Sequence, residues 1–428
     1  MNKKLIKRLW LVLGLGMLFL MLGTMPAQAK IDGLTGNTFN LTAKADYIST
    51  ADGGSYLIWG FDGGSGRAQY PGPVLIVNQG DTVTVNLTNQ LSVATSIVFP
   101  GQQGVTAAPV SGSTQDGILT KEASTGGTVM YTFTAAQPGT YTYYSGTNPD
   151  LQIEMGLVGV LIVRPYGYNP ADMMTYKAYN HQDSEYRREY LFFLSEMDPY
   201  IHQAVEFGQT PDTTTFWPVY WFINGRTAPD TMAAANVPWL PTQPYNCMPA
   251  TRPGEKVLLR IVGGGKDSHP YHTHGNHVRI IAKDGRLLSS TTGSGADLSK
   301  MEFTVTSAPG QTVDAIFVWT GQKMGWDIYG HAATDPLVPG EDPNDHGKPF
   351  PVVLPELQNL TFGPWYSGSP FLGAAGTLPP GEGGLNPNAG FFFMWHSHNE
   401  NEIVNFNIFP GGMLTMAVVE APWVEIME

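Results

Sequence analysis

Short runs of apolar or alternating residues, each stopped by glycine, proline or asparagine, recur through this chain, and that punctuation limits its fold more than any other feature. Tyr56-Leu57-Ile58-Trp59-Gly60 is short and apolar. Val83-Thr84-Val85-Asn86-Leu87 alternates with period two, which puts both valines and the leucine on one face of an extended strand. Residues 129–133 alternate in the same way, 139–144 are aromatic and β-branched, and 158–163 are almost wholly apolar. A second series follows at 190–194, 220–225, 256–261, 278–281, 312–319, 390–395 and 413–419. With 50 Gly and 33 Pro, and without a long amphipathic pattern, the chain is expected to be all-β and built of sandwiches.

The expected divisions follow composition. Pro165-Tyr166-Gly167-Tyr168-Asn169-Pro170 opens a linker over 166–174, separating a domain at 30–165 from one at 175–428. A tract dense in Gly and Pro at 336–389 exceeds an ordinary loop; it reads as an insertion over a site or interface, or as a mobile flap. At the start, Lys3, Lys4, Lys7 and Arg8 precede an apolar run and Ala27-Gln28-Ala29, the form of a secretory signal peptide over 1–29. An uncleaved anchor is the alternative. No later run has spanning length, so the expected location is periplasmic or secreted/extracellular, without a membrane span once the leader is removed. The net charge of −13 argues against a nucleic-acid partner. A single cysteine excludes an intramolecular disulfide and a Cys-rich metal centre.

Histidine carries the chemical signal. Six of the ten fall in two windows, Ser268-His269-Pro270-Tyr271-His272-Thr273-His274-Gly275-Asn276-His277 and Trp395-His396-Ser397-His398-Asn399. On extended backbone His272 and His274 share a face, as do His396 and His398. Two such pairs on neighbouring strands deliver four imidazoles to one volume, a donor set suited to copper, with zinc as competitor. Satisfied histidines without metal are the plainer alternative. His269 is a candidate ligand of a separate centre, or a loop residue before Pro270. His277 reads as structural or as a further ligand, and Glu400 and Glu402 as a solvated turn or, alternatively, as carboxylates that bind metal or orient an imidazole through its second nitrogen. Tyr143, Tyr144 and Tyr271 are candidate neighbours of such a metal, or core residues. Cys247 has no adjacent histidine and reads as a lone buried thiol.

These windows and their surroundings resemble the multicopper oxidase family. Tyr70-Pro71-Gly72-Pro73 and Asn78-Gln79-Gly80-Asp81-Thr82-Val83 look like its opening signature. The runs 139–145 and 156–163 are similar to the frame of its second ligand pair, and Phe222-Ile223-Asn224-Gly225 to a familiar strand. The two histidine windows resemble its third and fourth ligand segments. The resemblance implies two cupredoxin-like Greek-key β-sandwich domains.

The departures from the family shape the expected function. A complete member holds a three-copper cluster on four His-X-His pairs. The positions aligned with the first pair are Val98 and Pro100, and with the second Tyr144 and Gly146. The family's electron-entry cysteine is Ser397 here, and Glu402 stands at a following histidine position. Met413 could approach a metal, but more simply opens the last strand. Ordinary laccase-type oxidation is therefore not expected. What the resemblance leaves is an exported copper-binding protein with a mononuclear or at most dinuclear site. It would serve as an oxidoreductase with a small-molecule or protein redox partner, or in a non-catalytic metal-binding, electron-transfer or assembly role. Oligomerisation stays open.

Overall fold

Strands with apolar residues at every second position bury one face by packing sheet against sheet, and the chain does this twice. A computed structural model describes residues 31–323, 325, 327–349, 371–373, 376–377, 385–386, 390–420 and 426. The expected leader and most of the 350–389 tract lie outside the described residues.

The first half contains β1 (Thr38–Ser49), β2 (Ser55–Asp62), β3 (Leu75–Asn78), β4 (Thr82–Asn89), β5 (Gln103–Ser111), β6 (Thr128–Thr134), β7 (Gly139–Tyr144) and β8 (Val158–Arg164). One sheet has the order β2-β1-β4-β6-β5. The other runs from Leu34–Thr35 through β3 and β8 to β7. Phe39, Leu41, Val83, Val85, Tyr131 and Leu161 fill the space between the two sheets.

The second half repeats the plan with β9 (Arg188–Met197), β10 (Tyr220–Ile223), β11 (Lys256–Gly263), β12 (His269–Thr273) and β13 (Val278–Lys283). It continues with β14 (Thr304–Ser307), β15 (Thr312–Val318), β16 (Gly390–Ser397) and β17 (Leu414–Glu420). One sheet has the order β10-β9-β11-β15-β13, and the other pairs β17-β16-β12-β14. Phe192, Leu259, Tyr271, Phe317, Trp395 and Met413 are buried between them. This is a multi-domain β-sandwich of cupredoxin type. Two short helices, α1 (Pro149–Glu154) and α2 (Pro199–Glu206), interrupt the strands. Among the described residues no helix is long and apolar enough to cross a membrane.

The halves meet through apolar packing and one buried ionic network. Val74, Ile76 and Val160 pack with Leu191, Phe193 and Phe222. Asn224-Gly225 makes a two-residue turn, with Ile223 and Arg226 exchanging backbone hydrogen bonds of 2.9 and 3.0 Å. Both turn residues have positive φ, 53° and 77°. A Cβ at Gly225 would lie 2.1 Å from the Tyr70 carbonyl oxygen, so glycine is needed for this approach. Glu189 accepts hydrogen bonds from the guanidinium groups of Arg164 (2.7 Å) and Arg260 (3.0 Å). Arg260 also reaches Asp314 at 3.7 Å. Burial alone would raise the Glu189 carboxyl, but the two arginines hold it down at about 2.

Candidate metal centre

Strand register assembles the imidazoles. β12 and β16 run antiparallel with Tyr271 opposite Ser397, His272 opposite His396 and Thr273 opposite Trp395. Alternation then puts His272 and His396 on one face, and Tyr271 and Ser397 on the other. His274 and His398 flank the direct pair. Ring centroids lie 4.8 Å apart for His272–His274, 5.5 Å for His272–His396, 4.7 Å for His272–His398 and 5.3 Å for His274–His396. One donor nitrogen from each of His272, His274 and His396 falls within 4.8 Å of the others. His398 is exposed beside this trio.

Neighbouring groups orient the rings. His272 Nδ1 lies 2.7 Å from the Thr304 hydroxyl, and Phe303 packs edge-on at 5.4 Å. His396 Nδ1 lies 2.6 Å from the Ser397 carbonyl oxygen, which can only accept. That bond assigns the His396 proton to Nδ1 and leaves the Nε2 lone pair free to bind a metal. His274 Nε2 approaches His396 Nε2 at 3.2 Å. Nitrogens bound to one tetrahedral ion at about 2.0–2.1 Å would sit about 3.3 Å apart, so this pair has the separation of two ligands. Burial, followed by the neighbouring imidazoles His274, His396 and His398, lowers His272 to about 4. Burial likewise lowers His396. Both are therefore neutral at pH 7, the form that binds metal.

His269 stands on the core-facing side of the same strand, away from the imidazole cluster. The expectation that it serves as a metal ligand is corrected by its contacts. Its Nε2 lies 2.8 Å from Glu196 and its Nδ1 2.9 Å from Glu402, so both ring nitrogens are taken by carboxylates. Burial alone would lower this imidazole, but the two glutamates raise it to about 9, and it donates to both as an imidazolium. Glu196 also accepts from the amides of Lys266 and Asp267. Gly265 makes room for it, since a Cβ there would lie 2.1 Å from Glu196 Oε2. Glu402 is buried, which corrects its reading as part of a solvated turn; it accepts from the Ser397 hydroxyl at 2.6 Å. Glu400 is exposed, as a solvated turn requires.

The other candidates separate clearly. His277 packs against Phe303 at 4.7 Å and lies outside the trio. Tyr271 and Tyr143 are fully buried core residues, and Tyr143 donates to the Pro73 carbonyl. Cys247 is a free, buried thiol; it donates to the Ile223 carbonyl at 3.0 Å, and burial pushes it up to about 12. Met413 lies in the core. In the first half Val98 and Tyr144 face each other across a backbone bridge, with no imidazole at either position. Sequence reasoning missed Glu196, which lies far from both histidine windows and is marked only as an acid following the apolar run 190–194 of β9.

A multicopper oxidase family profile matches residues 44–167, all in the half that lacks the histidine pairs. The copper resistance protein A homolog of Pseudomonas syringae pv. tomato is 23% identical over 286 residues, covering 61% of this chain and 45% of that protein. The chain thus spans about half the length of such curated relatives. Among solved structures, a blue copper oxidase from Nitrosomonas europaea aligns with a TM-score of 0.55 at 20% identity, covering 89% of this chain and 85% of that one. The multicopper oxidase mgLAC aligns with a TM-score of 0.56 at 19% identity, covering 91% and 88%. Together with the paired sheets and the imidazole cluster on β12 and β16, these similarities identify a cupredoxin fold like that of the multicopper oxidases, with an incomplete metal-binding site.

Proposed function

We propose that this chain is an exported, periplasmic or secreted copper-binding protein that holds one copper ion on His272, His274 and His396, with His398 at the rim. The observation that carries this reading is the 3.2 Å approach of His274 Nε2 to His396 Nε2 inside a trio of converging nitrogens. Thr304 and the Ser397 carbonyl orient the rings of His272 and His396 through Nδ1, so neither of these two has to reorganise to bind. Burial keeps His272 and His396 unprotonated, so little proton release from them opposes binding at neutral pH. Bound copper would supply one-electron redox chemistry at an open coordination position. The exposed His398 side is the approach by which a small molecule or a protein redox partner would reach it.

A blue-copper entry site is not part of this reading. Such a site needs a thiolate, whereas Ser397 is a hydroxyl committed to Glu402. With Val98 and Tyr144 in the first half, the ligands of a full cluster are not supplied by this chain. The name of the Pseudomonas relative supports a role in copper handling for the present chain. Zinc is the competing ion, since imidazole donors alone do not discriminate by softness.

The test is copper and zinc content of the purified protein, with electron paramagnetic resonance on the same sample. The expected result is near one copper per chain with an ordinary, non-blue signal. Failure to bind copper, zinc displacing copper from the His272, His274 and His396 cluster when both are offered, or a blue-type signal would overturn the reading. Cycling of the signal with reductant and dioxygen then separates an oxidoreductase from a carrier.

A further inference from the structure

We propose that Asp327, His331, Glu341 and His346 form a second metal site, of the zinc-binding type, that clamps the loop after β15 and is independent of the imidazole cluster on β12 and β16. One donor atom from each of the four side chains falls within 4.8 Å of the other three. Both histidines present Nδ1 to the same two carboxylates. Glu341 Oε1 lies 3.1 Å from His331 Nδ1 and 2.6 Å from His346 Nδ1. Asp327 Oδ2 lies 3.8 Å from the first nitrogen and 3.9 Å from the second. These four separations straddle the roughly 3.3 Å expected between ligands on a tetrahedral ion with bonds of about 2.0–2.2 Å.

The carboxylates are held in place before any ion arrives. Their side chains are only 1% and 2% exposed. Asp327 Oδ1 accepts from the Tyr329 amide at 2.8 Å and Oδ2 from the Gly347 amide at 2.9 Å. Glu341 Oε2 accepts from the Val338 amide at 3.0 Å, leaving Oε1 to face the histidines. The Tyr329 ring stacks on His331 at 5.7 Å. Two carboxylates withdrawn from water are costly unless cations compensate them. One dication with two neutral imidazoles balances both charges. Two nitrogen and two oxygen donors without sulfur suit zinc, whereas calcium and magnesium prefer six or more oxygens.

The loop supplies the structural reason for such a clamp. Among the described residues from 320 to 349 there is no helix or strand, and the path is fixed by isolated bonds such as Asp327 N to the Lys348 carbonyl at 3.0 Å. A metal joining positions 327, 331, 341 and 346 closes this long connection at four points and restricts the unfolded loop far more than the folded one.

Zinc titration of chelator-stripped protein, read by calorimetry and by metal content, tests the site. The double variant H274A/H396A should still bind one zinc per chain, and zinc should slow proteolysis between 320 and 349. H331A/H346A should lose that ion while still folding, as a cooperative metal-free melt would show. Should that variant fail to fold, E341Q provides the second reading, with affinity falling at least about tenfold. Zinc uptake by H331A/H346A equal to that of the wild type would overturn the proposal, as would H274A/H396A binding no zinc. Because the first cluster is removed in H274A/H396A, the outcome there does not depend on the copper reading.

Discussion

Both sandwiches bring two chain segments together at a facing pair of residues, Val98 opposite Tyr144 in the first and His272 opposite His396 in the second. The backbone device is alike, while the side chains are apolar or phenolic in one and imidazole in the other. The matching family profile covers the half without the histidines. Core strands such as β4 and β6, with Val83, Val85 and Tyr131 sealed inside, specify the frame. The ligands are added on top of that frame, so metal binding and folding should separate experimentally.

Removing the imidazoles tests that separation most strongly. H274A/H396A should abolish copper binding at the cluster while changing metal-free stability by about 1 kcal/mol or less; metal content and denaturant melts check both. A collapse of the metal-free fold would show that the second sandwich depends on its histidines as the first does not. The next effect lies on the buried side of the same strands. Glu402→Gln leaves the His269 imidazolium paired with Glu196 alone and replaces a charged acceptor by an amide oxygen, which should cost about 1.5–3 kcal/mol in urea unfolding.

A pH series sharpens the contrast, because the first half has no counterpart to His269. Its folded value of about 9 exceeds the ordinary 6.5, so its stabilisation is complete below about 6.5 and fades as pH rises through about 9. The loss, on the order of 3 kcal/mol at about 1.4 kcal/mol per unit, should appear as a falling urea midpoint across that window. Glu189, held down at about 2, acts in the opposite direction: its contribution is present above the ordinary 4.5 and is lost only as pH falls towards 2. The smallest effect is expected for Cys247→Ser. Metal content should stay unchanged, with a cost of about 1–2 kcal/mol in the same melts, because the hydroxyl can still donate to Ile223.

The period-two runs made much of the sandwich legible. β4, β6, β7 and β11 fall where alternation or apolar density put strands. β5 was hidden because most of its residues are exposed and its small residues and proline carry only a weak apolar pattern. β1 starts well ahead of the first recognised run, since alanine, threonine and asparagine dilute its alternation. The imidazole trio was legible because His-X-His spacing is itself a strand-face code. His269 was misread because a histidine near two others looks like a ligand until Glu196 and Glu402, distant in sequence, are seen to occupy both nitrogens. The 327–346 cluster has no periodic spacing, and only the path of the loop brings its four residues together.

The bond from Ser397 to Glu402 has a consequence for anyone trying to re-engineer the protein. Ser397→Cys alone would not restore a soft donor. The new sulfur would meet a buried carboxylate where a histidine would be needed, and negative charge together with burial keeps a thiol protonated. Exchanging Glu402 as well would strip His269 of one partner and leave Glu196 overcommitted. The route back to a thiolate-bearing centre therefore passes through positions 196, 397 and 402 together.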